Sequence, residues 1–236
     1  MRNELLTSPP VRGVKFTCEL DSASAASTSL ISEFREAIRK RFAREDWRIY
    51  CEQVSATQMI ISTSITESQQ IEMAKNLLTH RGALEFRLVH NESDKLMENN
   101  LVSPGYELLS REEKVANGPA KIEKLIVRKK AEPGLTGNVV KRAFVIRDDF
   151  GRPEITFLLH PQAATAFATV TRQNVGRRLA IVLDGKLITA PIINSAIEGG
   201  SGVISGQFDL REAAGVAAAL EAPLPAKVTL LETSSY

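Results

Sequence analysis

NVGRRLAIVLDGKLITAPIINSAIEGGSGVISG, residues 174–206, decides how this chain folds. Two apolar runs, Leu179 to Leu183 and Leu187 to Ile193, flank Asp184-Gly185. Asp-Gly between β-type runs predicts a two-residue hairpin turn, because both central residues of that turn need positive φ. Pro191 donates no ladder hydrogen bond, so it belongs at an edge or near a strand end. Gly199, Gly200 and Gly202 then form a loop, Val203 to Ser205 returns to strand, and Gly206 breaks it. Asp184, Gly185, Gly199, Gly200 and Gly202 are read as structural turn residues. A phosphate loop would run from a strand into a helix N-terminus and carry a Lys-Ser/Thr pair. These glycines lead into another strand without such a pair.

Upstream, Val14, Phe16, Cys18 and Leu20 alternate with polar residues, which is the period of a half-buried strand. The serine-rich stretch Asp21 to Ser29 leads into a helix with Leu30, Phe34, Ala37, Ile38 and Phe42 on one face. Strands follow at Trp47 to Cys51 and Met59 to Thr63. Thr66-Glu67-Ser68-Gln69 reads as a capping box opening a second helix that ends at Gly82. Leu84, Phe86 and Leu88 read as a fourth strand. The plan is β-α-β-β-α-β, so the expected class is α+β: a ferredoxin-like antiparallel base. Residues 1–12, with Ser8-Pro9-Pro10, read as a flexible arm.

After His90 the composition turns polar, and Ser103-Pro104-Gly105 and Asn117-Gly118-Pro119 punctuate the chain. Residues 91–206 are read as an inserted α+β head. It holds a strand at Ile122 to Val127, a hairpin around Asp148 to Pro153, and a helix opening at Pro161. Asp209 with Glu212 caps a final alanine-rich helix. That helix and the strand Val228 to Leu231 are assigned to the base, residues 11–90 with 207–236. Both crossings would act as hinges, through Asn100 and Ser103 on one and Ser205, Gly206 and Gln207 on the other.

A net charge of +2, with basic residues clustered only at Arg39-Lys40-Arg41, Arg128-Lys129-Lys130 and Arg177-Arg178, argues against a nucleic-acid binder. The first of these clusters reads as a solvated helix face. No apolar run approaches the roughly 20 residues that span a bilayer, and no signal peptide is visible. His80, His90 and His160 stand far apart, so no metal is expected. No nucleophile carries a local base, Asp148-Asp149 is ordinary turn chemistry, and neither cofactor nor small-molecule substrate is implied. Cys18 and Cys51 fall on strands separated by a third, beyond disulfide reach.

Several stretches together resemble one family. GRRLAIVLDGKLITAPII, EGGSGVISGQF, LREAAGVAAAL and APLPA, with Leu135-Thr136-Gly137 and FATVTRQNVG at Phe167 to Gly176, resemble the end of the first large periplasmic domain of the SecD/SecDF protein-export subunits. The resemblance is close from about Gly134 to Leu231. It implies a base-and-head domain on the periplasmic face of a bacterial inner membrane. In that family the head is thought to contact emerging, unfolded preprotein and to swing on the base. The partners implied are the Sec channel and a partner membrane subunit, with proton flow through membrane helices that are not in this stretch. A domain of another resistance-nodulation-division-type transporter, or a stand-alone peptide-binding module, is the alternative. Within the head, Ile192, Ile193, Ile197 and Val203 are the expected preprotein contacts, by strand-edge pairing.

Overall fold

The computed structural model describes residues 6–21, 28–45, 47–113 and 121–236. The start of the arm, the serine-rich stretch 22–27 and Asn117-Gly118-Pro119 lie outside the described residues. In chain order the elements are β1 (Val14–Leu20), α1 (Thr28–Ala43), β2 (Ile49–Gln53), β3 (Gln58–Thr63), α2 (Ser68–Thr79), β4 (Leu84–Leu88) and α3 (Ser93–Glu98). There follow β5 (Tyr106–Glu113), β6 (Lys121–Arg128), β7 (Val140–Arg147), β8 (Pro153–Leu159), α4 (Pro161–Gln173), β9 (Leu179–Leu183) and β10 (Lys186–Thr189). The last three are β11 (Ser201–Ser205), α5 (Leu210–Glu221) and β12 (Val228–Ser235). They divide into two compact units, Met1–Gly82 with Ala222–Tyr236, and Ala83–Glu221.

The first unit is one antiparallel sheet in the order β12-β1-β3-β2. The alternation of β1 buries Val14, Phe16, Cys18 and Leu20, and α1 buries Leu30, Phe34, Ile38 and Phe42 as its spacing requires. The fourth strand is β12 and not Leu84–Leu88, which pairs with β9 in the second unit. Alternation marks a half-buried strand but does not name its partner, and two strands carried the same signal. Helix α2 starts at Ser68 with Glu67 as N-cap and no side-chain cap bond. The arm is tied down at Leu6, whose N–H donates to the carbonyl of Ile49 at 2.9 Å.

One buried cation organises this unit. Arg41 is fully buried. Its guanidinium donates to the carbonyls of Leu77 and His80 at 2.6 Å, Ala222 at 2.8 Å and Arg81 at 2.9 Å. The Leu224 N–H donates to the same Arg81 carbonyl at 2.7 Å. The last turn of a helix leaves carbonyls without intrahelical donors, and here one side chain serves them together with the returning chain. Reading Arg39-Lys40-Arg41 as a solvated face therefore holds only for its first two members, which pair with Glu36.

Cys18 faces Met59 and Cys51 faces Ile61, so β3 runs between the two thiols, and both are free. Cys51 is half-buried, and it lies opposite Ile61 as Phe16 does, so both thiols are on the inward face of the sheet. Burial pushes each thiol up to about 12, so both stay protonated and unreactive at neutral pH.

The second unit contains the three-stranded sheets β10-β9-β4 and β11-β8-β7 and the hairpin β5-β6. Leu84, Phe86 and Leu88 of β4 share a core with Leu179, Ile181 and Leu183 of β9, Phe157 of β8 and Phe167 of α4. The three phenylalanine rings stack with centroids 5.0 to 6.4 Å apart. The alanine-rich helix α5 buries Ala213, Ala217 and Leu220 in this core, against β7 and β8. It does not return to the base sheet; alanines permit close packing on any sheet and do not choose one. The insertion is therefore Ala83–Glu221 and not 91–206.

Arg41→Met should lower the unfolding free energy of the first unit by about 3 kcal/mol, because several buried carbonyls lose their donor. Arg41→Lys, which lacks the planar fork, should lose nearly as much. The fluorescence of Trp47, the one tryptophan, reports that unit in urea. Unchanged midpoints in both variants would contradict this role.

Candidate functional site

The edges of the two three-stranded sheets in the second unit differ in one respect. An edge strand presents a row of unpaired N–H and C=O groups, a template for another strand. On β4, the Glu132 N–H donates to the Phe86 carbonyl at 2.8 Å, and Glu132 Oε1 accepts from the Leu88 N–H at 3.3 Å. Glu132 is itself buried and paired with Arg128 at 3.2 Å. Beside β10, Arg111 donates to the Ile188 carbonyl at 3.1 Å and Arg178 to the Ala190 carbonyl at 2.9 Å. Both guanidiniums also hold Glu123, at 2.5 and 2.6 Å. Burial pushes the Glu123 carboxyl up, and the hydrogen bonds and charges of Arg178 and Arg111 outweigh it, leaving Glu123 below the usual range. A lowered carboxylate stabilises the fold above its unfolded-state value, and that stability is lost as pH falls through the folded value.

On β7, Glu221 Oε1 accepts from the Ala143 N–H at 2.7 Å. The fourth edge, β11, ends its sheet, and among the described residues nothing bonds to its outer side. The Leu159 N–H donates to the Gly200 carbonyl at 2.8 Å. Bonding alternates along an antiparallel pair, so Gly202 and Ile204 face β8 and the backbone groups of Ser201, Val203 and Ser205 point away. The same alternation turns Ala143 outward on β7, where Glu221 meets it. Three edges thus bear side-chain bonds; among the described residues β11 bears none, and β10 comes within 8 Å of it without pairing.

Around this edge the outer face is apolar in one row. Phe144 faces Thr156 and Thr156 faces Val203 across the sheet. Phe144 is 47 % exposed and Val203 43 %. The rows on either side are Arg142, Leu158 and Ser201, and Ile146, Glu154 and Ser205.

Of the expected contacts, Val203 lies on this edge. Ile192 is 57 % exposed, in a bridge to Arg178 after β10. Ile193 is buried in the core and offers no free surface, and Ile197 packs half-buried against that core. A run of isoleucines does not show from sequence which member turns inward. Phe144 was missed; its place in the row follows from the β7–β8 hairpin register, which could have been counted from the Asp148 turn.

The expected hinge residues all lie inside the second unit. Asn100 follows α3, which occupies part of the polar stretch after His90, and its N–H donates to the Met97 carbonyl at 3.0 Å. The Ser103 Oγ meets His90 Nε2 at 3.4 Å. Ser205 ends β11, and Gly206 and Gln207 lead on to Phe208, which packs on the core of that unit. The chain passes between the units at Gly82–Ala83 and Glu221–Ala222.

Asp184 and Gly185 have φ of 50° and 79° and join β9 to β10. Asp184 also reaches back, accepting the Ala83 N–H on Oδ1 at 2.8 Å and donating its own N–H to the Ala83 carbonyl at 3.0 Å. Asp209 and Glu212 form the expected reciprocal cap of α5, at 2.9 and 2.8 Å. Asp148 accepts the Phe150 and Arg152 N–H groups, as turn chemistry requires. His80 stands at the C-cap position of α2, its Nδ1 3.0 Å from the Asn76 carbonyl, and His160 at the N-cap position of α4 without a side-chain cap bond. Among the described residues no group of three His, Cys, Asp or Glu side chains could hold a metal ion.

The family model for the SecDF P1 head subdomain matches residues 111–226, from β5 through α5. The chain is 37 % identical over 164 residues to the protein translocase subunit SecDF of Thermus thermophilus, covering 66 % of this chain and 21 % of that protein. It is 34 % identical over 182 residues to the protein translocase subunit SecD of Dictyoglomus turgidum, covering 75 % and 44 %. A solved structure of SecDF, described as a membrane component that enhances protein export, superposes with a TM-score of 0.70 at 28 % identity. That match covers 92 % of this chain and 98 % of the solved one. The chain belongs to the SecD/SecDF family. It spans less than half the length of these two curated relatives. Its α+β architecture of antiparallel sheets is that of the SecDF periplasmic domains, and the β11 edge falls within the part matched as the head subdomain. No helix among the described residues is long and apolar enough to cross a membrane.

The loop that delivers β11 depends on Gly200. Its φ is +60°, and a β-carbon there would lie 2.3 Å from that of Ala164 on α4. At Gly199 a β-carbon would meet only Ser201 Oγ at 3.8 Å. Gly200→Ala should cost about 2 kcal/mol, and Gly199→Ala less than about 0.5 kcal/mol. Urea unfolding followed by circular dichroism checks the contrast; equal costs would show that the loop does not pack on α4.

Proposed function

We propose that this chain is the periplasmic domain of a Sec protein-translocation accessory subunit whose second unit holds unfolded preprotein as it emerges from the membrane. On this reading the second unit changes orientation on the first, and proton flow through membrane helices elsewhere in the parent protein drives the change. The partners are the Sec channel and a companion membrane subunit. The chain works by binding and not by turnover.

The observation that carries the binding role is the uncovered edge of β11 beside three covered ones. Sheet edges are normally protected against stray pairing, and this unit protects three with buried or paired side chains. An edge left open beside an apolar row suits a client read through its backbone, which every unfolded chain shares.

Motion draws support from the crossings. On the first unit's side, Arg41 fixes the carbonyls of Arg81 and Ala222. On the second unit's side, Asp184 fixes Ala83, and the Glu221 side chain meets Ala143. Freedom is confined to Gly82 and the Glu221–Ala222 link, the short kind of segment that absorbs a change in φ and ψ.

The test uses a reduced, carboxymethylated globular protein that stays unfolded in buffer, labelled with a fluorophore. Its anisotropy should rise saturably with the full 236-residue chain, while the folded form of the same protein gives no change. Absence of binding at high micromolar concentration, or equal binding of the folded form, would remove preprotein holding from the account.

A further inference from the structure

We propose that the β11 edge adds a short strand, free of proline at the positions whose N–H groups face β11, and selects it by period-two alternation. The selected strand carries a β-branched or aromatic residue beside Val203 and small or polar residues beside Ser201 and Ser205. This rests on the reading that the second unit holds unfolded polypeptide, and it specifies which segments are held.

Strand β11 is five residues long, so an added strand meets three outward-pointing residues and three rows of the outer face. A guest lies roughly 4.8 Å beyond β11, and its outer-face side chains continue the rows. The middle row is Phe144, Thr156 and Val203, with its apolar ends exposed. Aromatic and β-branched residues gain most as cross-strand neighbours in such a row. The flanking rows end in Ser201 and in Ser205, whose hydroxyl donates to Glu154 Oε1. A guest residue there meets a small polar neighbour, and a large apolar one would stay in water.

On the opposite face Gly202 has no side chain, and the Phe157 ring lies 2.6 Å from where its β-carbon would be. That position is filled from below, so the guest finds no pocket there and the outer face alone discriminates. The guest's N–H groups aimed at β11 must donate to the carbonyls of Ser201, Val203 or Ser205. Proline cannot donate, and alternate positions of the guest are not read in this way.

The experiment uses labelled seven-residue peptides of serine and threonine with a central valine, and the full chain. The valine peptide should bind, and central proline or aspartate should weaken it about tenfold, the worth of one or two hydrogen bonds and a packed side chain. N-methylation along the peptide should weaken binding by a similar factor at every second residue and leave the intervening ones unaffected. Val203→Pro should abolish binding without lowering the melting temperature, since that N–H faces away from β8. Val203→Asp provides a second variant that keeps the backbone donor.

Loss at all methylated positions alike, or binding indifferent to both Val203 variants, overturns the selection rule. If the chain still binds the unfolded protein in that case, preprotein holding stands and only the rule fails. If it binds neither peptide nor unfolded protein, both fail. A concentration-dependent dimer in sedimentation velocity that Val203→Pro abolishes would also overturn the rule, because the edge would then serve a second copy of the chain.

Discussion

The guanidinium of Arg41 brings three segments far apart in sequence to one point. It lies near the end of α1 and serves the end of α2, the carbonyl before the chain departs and the carbonyl where it returns. A 139-residue excursion, Ala83 to Glu221, thus leaves and re-enters beside one planar donor. Arginine suits the task because its fork offers five N–H groups in fixed directions. With the two chain ends fixed there, β12 reaches the outer side of β1 and completes the sheet, with a bulge between Thr17 and Cys18.

The second unit meets the same demand, a partner for every backbone group, in a different way. Its two three-stranded sheets are short and would otherwise expose four edges. Acidic groups accept from the backbone on β4 and β7, and arginines donate to carbonyls beside β10. Glu132, Glu123 and Glu221 are separate in sequence, yet each ends at an edge or at the ion pair that covers one. Leaving the outward groups of β11 without a partner costs little in water, because solvent satisfies them, and it keeps a row of backbone groups with which an extended chain could pair. That edge lies within residues 111–226, the part matched by the SecDF P1 head subdomain model.

Local chemistry was legible in the sequence. Asp184-Gly185 turned where both residues could take positive φ, Asp209 and Glu212 capped α5, and Asp148 closed the β7–β8 turn. The antiparallel α+β class followed from alternating and helical periods. Pairing partners were not legible. Leu84–Leu88 and Val228 onward carried equally good strand signals, and only non-local packing assigned the first to β9 and the second to β1. The strand at Val228 falls in the base as expected; the departure of Leu84–Leu88 from it moves the insertion boundary and with it the expected hinges. Arg41 was hidden for a similar reason: a basic run on a helix reads as solvated until the carbonyls it serves are in place. Of the expected contacts Val203 lies exposed on β11 while Ile193 is buried in the core, because exposure within an apolar run depends on which sheet the run joins.

The central claim is that β11 is an unpaired edge that takes up polypeptide backbone. Amide hydrogen exchange, read residue by residue by NMR, tests it most directly. In the free protein the amides of Val203 and Ser205 should exchange fast, while those of Gly202 and Ile204, bonded to β8, are protected. Adding the unfolded, carboxymethylated protein should slow the first pair and leave the second unchanged. Protection of Val203 and Ser205 in the free protein, or no change at them when the unfolded chain binds, would contradict the account.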